Sequence, residues 1–213
     1  MIGKAEVHIP SLTVQTPAQV EVLSLSDFST SVESSINNNL LDINVNYGVK
    51  EVKVEQQVFN NANVNIIFSK LDVDILSELN TLLAQVSQNN DPQMMNEQMQ
   101  KMTMIASQLL VNNPELSISD LSVETPEGKI QSQMLVSLDH KLYDPANPMS
   151  LVAAAKADAK GNGPAPFFEK FGLKPMLDMY VEQGFLLREN SALSFDVQFE
   201  QGKLVVNGNQ IPF

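Results

Sequence analysis

A β-hairpin signal in the middle of the chain, Asn113–Leu138, constrains the fold more than any other segment. Two runs of alternating apolar and polar residues flank a Pro-Glu-Gly turn at Pro126–Gly128. Alternation with a period of two is the pattern of half-buried antiparallel strands. The apolar members of the two runs are Leu116, Ile118, Leu121, Val123, Ile130, Met134, Val136 and Leu138. The segment therefore predicts an antiparallel sheet, and it contains no catalytic motif.

The first 70 residues predict further strands of the same sheet. Asparagine tolerates left-handed backbone angles, so Asn37–Asn39 and Asn60–Asn61 are interpreted as turns. The apolar alternation changes phase near Lys50–Glu51, which predicts a β-bulge there. Several strands joined by short turns predict an antiparallel meander.

The period then changes to that of helices. Ile75 to Val86 carry apolar residues at helical spacing, with Asp72 or Asp74 available as the N-cap. Asp91 and Pro92 open a second helix that ends before Pro114. The two helices predict an αα-hairpin, and we expect the inner face of the sheet to bury its apolar stripes.

The second half of the chain predicts more strands and two short helices. Leu151–Gly161 is ambiguous, because its alanines favour a helix whereas its alternation favours a strand, the interpretation adopted here. Gly161–Gly163 is interpreted as a loop, and short helices are expected at Pro164–Phe171 and Lys174–Gln183. Final strands follow, with a tight turn at Asn207-Gly208. The order predicts an α+β fold: a mainly antiparallel meander with an αα-hairpin and short helices packed on one face. No long linker divides the chain, so residues 1–213 are predicted to form a single domain.

Composition excludes several classes of function. The 213 residues carry a net charge of −12, and Arg188 is the only arginine. Nucleic acid and anionic lipid are both bound through clustered basic residues, so neither is an expected partner. The chain has no cysteine, which excludes disulfides and thiol chemistry. No apolar run is long enough to predict a transmembrane helix.

The sequence offers no constellation of catalytic or metal-binding residues. His140 lies beside Asp139 and near Asp144, but neighbouring residues on a strand point to opposite faces and do not converge on a metal. No nucleophile motif and no phosphate-binding loop is present. We therefore predict no metal, no cofactor and no catalytic residue, and a protein that is not an enzyme.

Two apolar clusters are candidate ligand-binding surfaces. Methionines are concentrated on the second predicted helix, where Met95, Met99 and Met102 form one stripe. The second cluster comprises Phe167, Phe168 and Phe171. Flexible thioethers and aromatic rings suit surfaces that bind peptides or lipids. The alternative for both clusters is an ordinary buried core.

Three segments resemble the YdgA-like family of bacterial envelope proteins, whose function is unassigned. They are NPELSISDLSVETPEGKIQSQ at Asn113–Gln133, MYVEQGFLLREN at Met179–Asn190 and GKLVVNGNQIPF at Gly202–Phe213. The resemblance implies a longer parent protein with an N-terminal membrane anchor and a periplasmic body, of which this chain is the C-terminal portion. The start of the chain, which alternates like a strand and lacks the core of a signal peptide, agrees with that expectation. The family supplies no catalytic residues to carry over.

Three hypotheses of function follow, in this order. The first is a non-enzymatic envelope protein that acts through assembly with a protein partner or with itself. The second is a carrier of a lipid or another apolar ligand, held in a groove between sheet and helices. The third is a hydrolase that uses carboxylates. An apolar cavity open to solvent distinguishes the second hypothesis from the first, and a polar pocket with converging acids distinguishes the third.

Overall fold

A computed structural model describes residues 3–17, 21–54, 57–88, 92–144, 146–147 and 149–212. These residues form one open antiparallel sheet of eleven strands. The strands are β1 (Gly3–Gln15), β2 (Glu21–Asn37), β3 (Leu40–Val54), β4 (Gln57–Asp72), β5 (Glu115–Thr125), β6 (Gly128–Leu138), β7 (Ala155–Pro164), β8 (Leu187–Glu189), β9 (Ala192–Glu200), β10 (Lys203–Val206) and β11 (Asn209–Ile211). The helices are α1 (Val73–Gln88), α2 (Pro92–Leu109), α3 (Ser150–Ala154), α4 (Ala165–Lys170) and α5 (Lys174–Glu182).

The strand order follows the chain almost without exception. It runs β1-β2-β3-β4-β5-β6-β7-β9-β10-β11, and the short β8 pairs with β9. Every pair is antiparallel. Local connections of this kind make a meander, as the alternating sequence predicts.

The predicted α+β fold with helices packed on one face is wrong, because the sheet dominates and most of it has no helical layer. The helices α1 and α2 form the expected hairpin and pack on each other, but they adjoin the sheet chiefly at the end of β4. Only Leu82 and Ile105 are buried among the described side chains of this hairpin. Asp72 caps α1 as predicted, since its Oδ1 accepts from the amides of Asp74 at 3.0 Å and Ile75 at 3.2 Å. The proposed cap Asp91 lies outside the described residues.

The long strands β1–β4, which we call the wing, contain a shared irregularity in place of the predicted turn and bulge. The turn predicted at Asn60–Asn61 is wrong, because β4 continues through both residues and Asn61 has a φ of 49°. The bulge predicted near Lys50–Glu51 is also wrong, because the pairing of β3 with β2 has no register shift there. Instead, the Asp27–Lys50 pair is skipped and Asp27 has a φ of 51°. The apolar alternation changes parity at this row in all four strands.

The change of parity keeps the apolar residues on one face of the wing. On the side of this row nearer the β3–β4 turn, the ring of Phe59 lies 6.2 Å from that of Phe167 on α4, on the face of the sheet that carries the helices. On the opposite side of the row, Tyr47 and Val64 line a cavity on that same face together with Ile130 of β6. A left-handed residue inside a strand turns the following side chains over, so both segments remain apolar toward the helix side.

Several elements in the second half agree with the sequence interpretation. The central hairpin turns between Thr125 and Gly128, and Asn207-Gly208 joins β10 to β11. The short helices predicted at Pro164–Phe171 and Lys174–Gln183 are α4 and α5. The ambiguous segment divides between the helix α3 and the strand β7. The loop predicted at Gly161–Gly163 is wrong, because both glycines lie inside β7.

Candidate functional site

An apolar groove lies between the helices α4 and α5 and the sheet beneath them. Its volume is about 660 Å³, and its lining contains no charged side chain. The floor comes from β6, β7, β9 and β10, and the roof comes from α4, α5 and the segment that follows α5. The groove is open to solvent, so a ligand can enter without unfolding of either layer.

Small residues on β7 give the groove its depth. Ala155, Ala157 and Ala159 continue the alternation to Gly161 and Gly163, all on the helix side of the sheet. A Cβ atom on Gly161 would lie 2.8 Å from Cε1 of Phe195, and one on Gly163 would lie 3.2 Å from Cε2 of Phe168. The two rings therefore lie over bare backbone, and larger side chains at these positions would displace them.

The roof is anchored by one row of side chains and exposes another to the groove. Leu177 is 7% exposed and packs with Ala165 and Leu193, which form the main buried cluster together with partly buried neighbours. On the same helix, Met176 and Tyr180 line the groove. Leu177 and Leu193 also line the groove, so the buried cluster forms part of its wall.

Ion pairs hold the two roof helices against the chain that follows them. Arg188 donates from Nη1 to Glu169 Oε1 at 3.0 Å and from Nη2 to Asp178 Oδ1 at 2.9 Å. Asp178 also accepts from Lys174 Nζ at 2.8 Å. The hydrogen bond from Lys174, and the positive charges of Lys174 and Arg188, lower the pKa of Asp178. The only arginine of the chain thus joins α4 to α5.

A second apolar cavity extends the groove along the sheet. It has a volume of about 350 Å³ and is lined from β3, β4, β5 and β6 by residues that include Tyr47, Val64 and Leu121. Both cavities share Ile130. At a strand spacing of about 4.8 Å, the path from β3 to β10 crosses seven strands and measures roughly 29 Å. The combined surface is therefore elongated across the strands.

The structure distributes the predicted phenylalanines between the groove and its rim. Phe168 lines the groove. Phe167 lies at the centre of an aromatic cluster, with its ring 5.2 Å from each of Phe168 and Phe171 in edge-on contacts. Phe171 is 50% exposed. The three residues are close together, and their role in ligand binding stays a prediction.

The predicted methionines lie on α2, in a different part of the molecule. Met99 is 54% exposed and Met102 is half-buried, whereas the side chain of Met95 lies outside the described residues. Neither Met99 nor Met102 lines the groove. The structure therefore does not join the methionine stripe to the phenylalanines in one site, and ligand binding by the stripe stays a prediction.

The acid and histidine residues considered for metal binding have structural partners. His140 Nδ1 lies 3.0 Å from Asn113 Oδ1, and Asp139 accepts from the amide of Lys141 at the start of a short 3₁₀ turn. Within the described ranges, no group of three or more metal-binding side chains converges. No helix in the described part of the chain has the length and apolar character needed to cross a bilayer.

Sequence reasoning missed most of the groove. The floor of the groove is lined by residues that the sequence does not mark as ligand-binding candidates, among them Ile130, Phe195, Val197, Leu204 and Val206. The available signal was the succession of alanines and glycines at alternate positions of β7, which indicates a sheet surface without side-chain bulk. That signal becomes a groove only when helices bridge the surface.

The whole chain, residues 1–213, matches the sequence profile of one family, described as "Bacterial protein of unknown function (DUF945)". No curated protein matches the chain, and no solved structure does. The apolar groove thus occurs in a protein whose family description assigns no activity to it. The chain belongs to this family of bacterial proteins of unknown function.

Proposed function

We propose that the protein binds the alkyl portion of an apolar ligand, such as an acyl chain, in the groove beneath α4 and α5. The observation that carries the proposal is an elongated surface, open to solvent, whose lining has no charged group. Specific sites for compact polar molecules place a few polar groups to orient the ligand. A groove that offers a ligand length and apolar area, and no charged group, favours binding of a flexible hydrocarbon chain.

The absence of converging acids along the groove gives no support to a hydrolase. A general acid and base must lie within hydrogen-bonding distance of the reacting atoms. The carboxylates nearest the roof, Glu169 and Asp178, are engaged by Arg188 instead. We therefore propose a binding or carrier protein that is not an enzyme and needs no cofactor.

We also propose a periplasmic location, with a membrane anchor elsewhere in a longer parent protein. This proposal rests on the resemblance of three segments, at Asn113–Gln133, Met179–Asn190 and Gly202–Phe213, to the YdgA-like envelope proteins. Detection of the tagged full-length protein in spheroplast and periplasmic fractions tests it.

Two methionines on α5 give a matched test of the groove. Met176 lines it and is 41% exposed, whereas Met179 is 43% exposed and lies outside the lining. Titration with the fluorescent acyl probe 11-(dansylamino)undecanoic acid measures binding as a blue-shifted increase in emission. We expect Met176→Glu to weaken binding at least about tenfold, because it places a desolvated charge against the alkyl chain. Met179→Glu adds the same charge, and we expect binding within about twofold of the wild type.

Two results would contradict the proposal. One is a wild-type protein that produces no blue shift at any probe concentration below its micelle-forming range. The other is an equal loss of affinity in Met176→Glu and Met179→Glu, with both variants folded by circular dichroism. Equal losses would mean that the probe responds to charge on α5 and not to occupation of the groove.

A further inference from the structure

The helix-side face of the wing is a broad apolar surface with little to cover it. No residue of β1–β4 is among the buried hydrophobic residues of the described chain. Every residue of β1 is exposed, although the strand is thirteen residues long and pairs with β2. Large apolar side chains more than a third exposed on this face include Val7, Leu12, Val14, Val32, Tyr47 and Val54.

The total surface of the chain shows how much cover is missing. A compact monomer of 23.5 kDa is expected to expose about 9,800 Å². This chain exposes 13763 Å². The excess is about 4,000 Å² per chain on that scale. Stable, obligate dimers bury about 2,000–5,000 Å² in total, so the excess is ample for such an interface.

The charges of the wing lie where they do not oppose contact through this face. Three of the ion pairs in the wing join Lys4 to Glu6, Lys50 to Asp27 and Lys53 to Glu51, at 3.4, 3.5 and 2.9 Å respectively. Strand alternation places these side chains on the face opposite Val32 and Tyr47. Contact through the apolar face therefore does not desolvate these ion pairs.

The sequence of β1 favours contact through the face over contact through the strand edge. Lys4 and Glu6 are charged, and Pro10 lacks an amide proton. Charged residues and proline on an edge strand are the usual means by which sheets avoid adding further strands. The apolar face of β1 has no corresponding protection.

We propose that the wing's apolar face packs against the same face of a second copy of this chain. The contact is isologous, so each copy supplies the same surface across a two-fold axis. Two sheet faces packed in this way lie about 10 Å apart and bury their apolar side chains between them. The proposal concerns β1–β4, none of whose described residues lines the groove beneath α4 and α5. The two proposed surfaces meet only at the second cavity, where β3 and β4 contribute residues such as Tyr47 and Val64.

Neighbouring residues of β2 provide a matched test. Val32 lies on the apolar face and is 41% exposed, whereas Ser31 lies on the opposite face. Sedimentation equilibrium at about 1 to 100 μM, which spans micromolar dissociation constants, measures the dissociation constant of the dimer. We expect the wild type to be a dimer and Val32→Lys to raise its dissociation constant about a hundredfold, because an unpaired ammonium is desolvated at the contact.

The control keeps the net charge equal. Ser31→Lys adds one positive charge, as Val32→Lys does, and so changes the formal net charge from −12 to about −11. We expect Ser31→Lys to remain dimeric. Because each lysine lowers the repulsion between acidic copies, dissociation of Val32→Lys cannot be attributed to net charge. Met176→Glu should remain dimeric while losing the acyl probe, which separates this proposal from that of the groove.

Three outcomes would overturn the proposal. The first is a monomeric wild type at the highest concentration. The second is equal dissociation of Ser31→Lys and Val32→Lys. The third is a native mass spectrum of Met176→Glu, whose groove is expected to bind the alkyl chain weakly, that contains one chain with bound lipid, since lipid would then cover the face in place of a second copy.

Discussion

The wing and the half of the sheet beneath α4 and α5 have the same alternation of apolar and polar residues, but they differ in what covers their apolar face. The wing strands have 13, 17, 15 and 16 residues, the longest in the described chain, and contribute no buried hydrophobic residue. The other half uses shorter strands, yet Leu193 and Val206 are each only 4% exposed. Strand length and apolar content therefore do not determine burial. A helical layer does, and only one half has it.

The comparison also explains why the groove is located where it is. A cavity needs two surfaces that are held apart, and α4 and α5 supply the second surface over β7, where side chains are smallest. Over the wing, the aromatic contact between this face and the roof helices is that of Phe59 with Phe167, at one margin. One half is thus suited to enclosing a ligand, and the other to meeting a second surface.

The largest expected effect separates the covered half from the wing by stability. Leu193→Ala should lower the free energy of unfolding by about 2–5 kcal/mol, because it opens a cavity in the main buried cluster. Val32→Ala should change it by about 0.5 kcal/mol or less at submicromolar protein, since the side chain is exposed in a single copy. Urea titrations of both variants check the difference. Equal losses at high dilution would break the comparison.

A smaller effect is expected from two strand glycines, one in each half. Gly161→Ala should cost about 1–3 kcal/mol, because its Cβ meets the Phe195 ring at 2.8 Å and the carbonyl of Gln131 at 3.1 Å. Gly48→Ala should be within about 1 kcal/mol of the wild type, since its nearest neighbour at 3.0 Å is the Ser29 hydroxyl, which rotates away. Thermal unfolding of both variants measures the difference. A tolerated Gly161→Ala with unchanged probe binding would show that β7 does not limit the depth of the groove.

The smallest expected effect depends on pH and concerns the roof. The pKa of Asp178 is lower in the folded protein than its ordinary value of 3.8, because Lys174 and Arg188 favour the carboxylate. The ion pairs therefore contribute stability above pH 3.8, and this contribution is lost as the pH falls through the lower folded pKa. Hydrogen exchange of α5 amides, referenced to those of β2, should rise in this acidic range. In Asp178→Asn the acid-dependent increase should disappear, and its persistence would assign the change to other groups.

The sequence predicted local structure well where a single period dominated. The hairpin of β5 and β6, the N-cap of α1 at Asp72, and the short helices α4 and α5 all follow from residues within a few positions of one another. The errors occurred where several strands act together. Asn60–Asn61 has the composition of a turn, but the left-handed backbone at Asn61 and Asp27 lies inside strands, at a row where the pairing of β3 with both β2 and β4 is skipped.

The candidate site was predicted less completely than the fold. Phe168 was identified as a ligand-binding candidate and lines the groove, whereas Ile130 and Phe195 were not identified. Met99 has the apolar spacing of a buried stripe, yet it is 54% exposed, although α1 and α2 pack on each other. Periodicity states which residues share a face, but it contains no information on what that face meets.

By itself, the sequence determined the antiparallel meander, the positions of α1, α2, α4 and α5, and the absence of thiol chemistry, because period, turn residues and composition act locally. The tertiary structure decided which part of the apolar face is covered. That choice depends on the placement of α4 and α5 over β7, where the glycines leave room for aromatic rings. This placement depends on contacts between elements that are distant in the chain. The alternation within a single strand contains no information about those contacts.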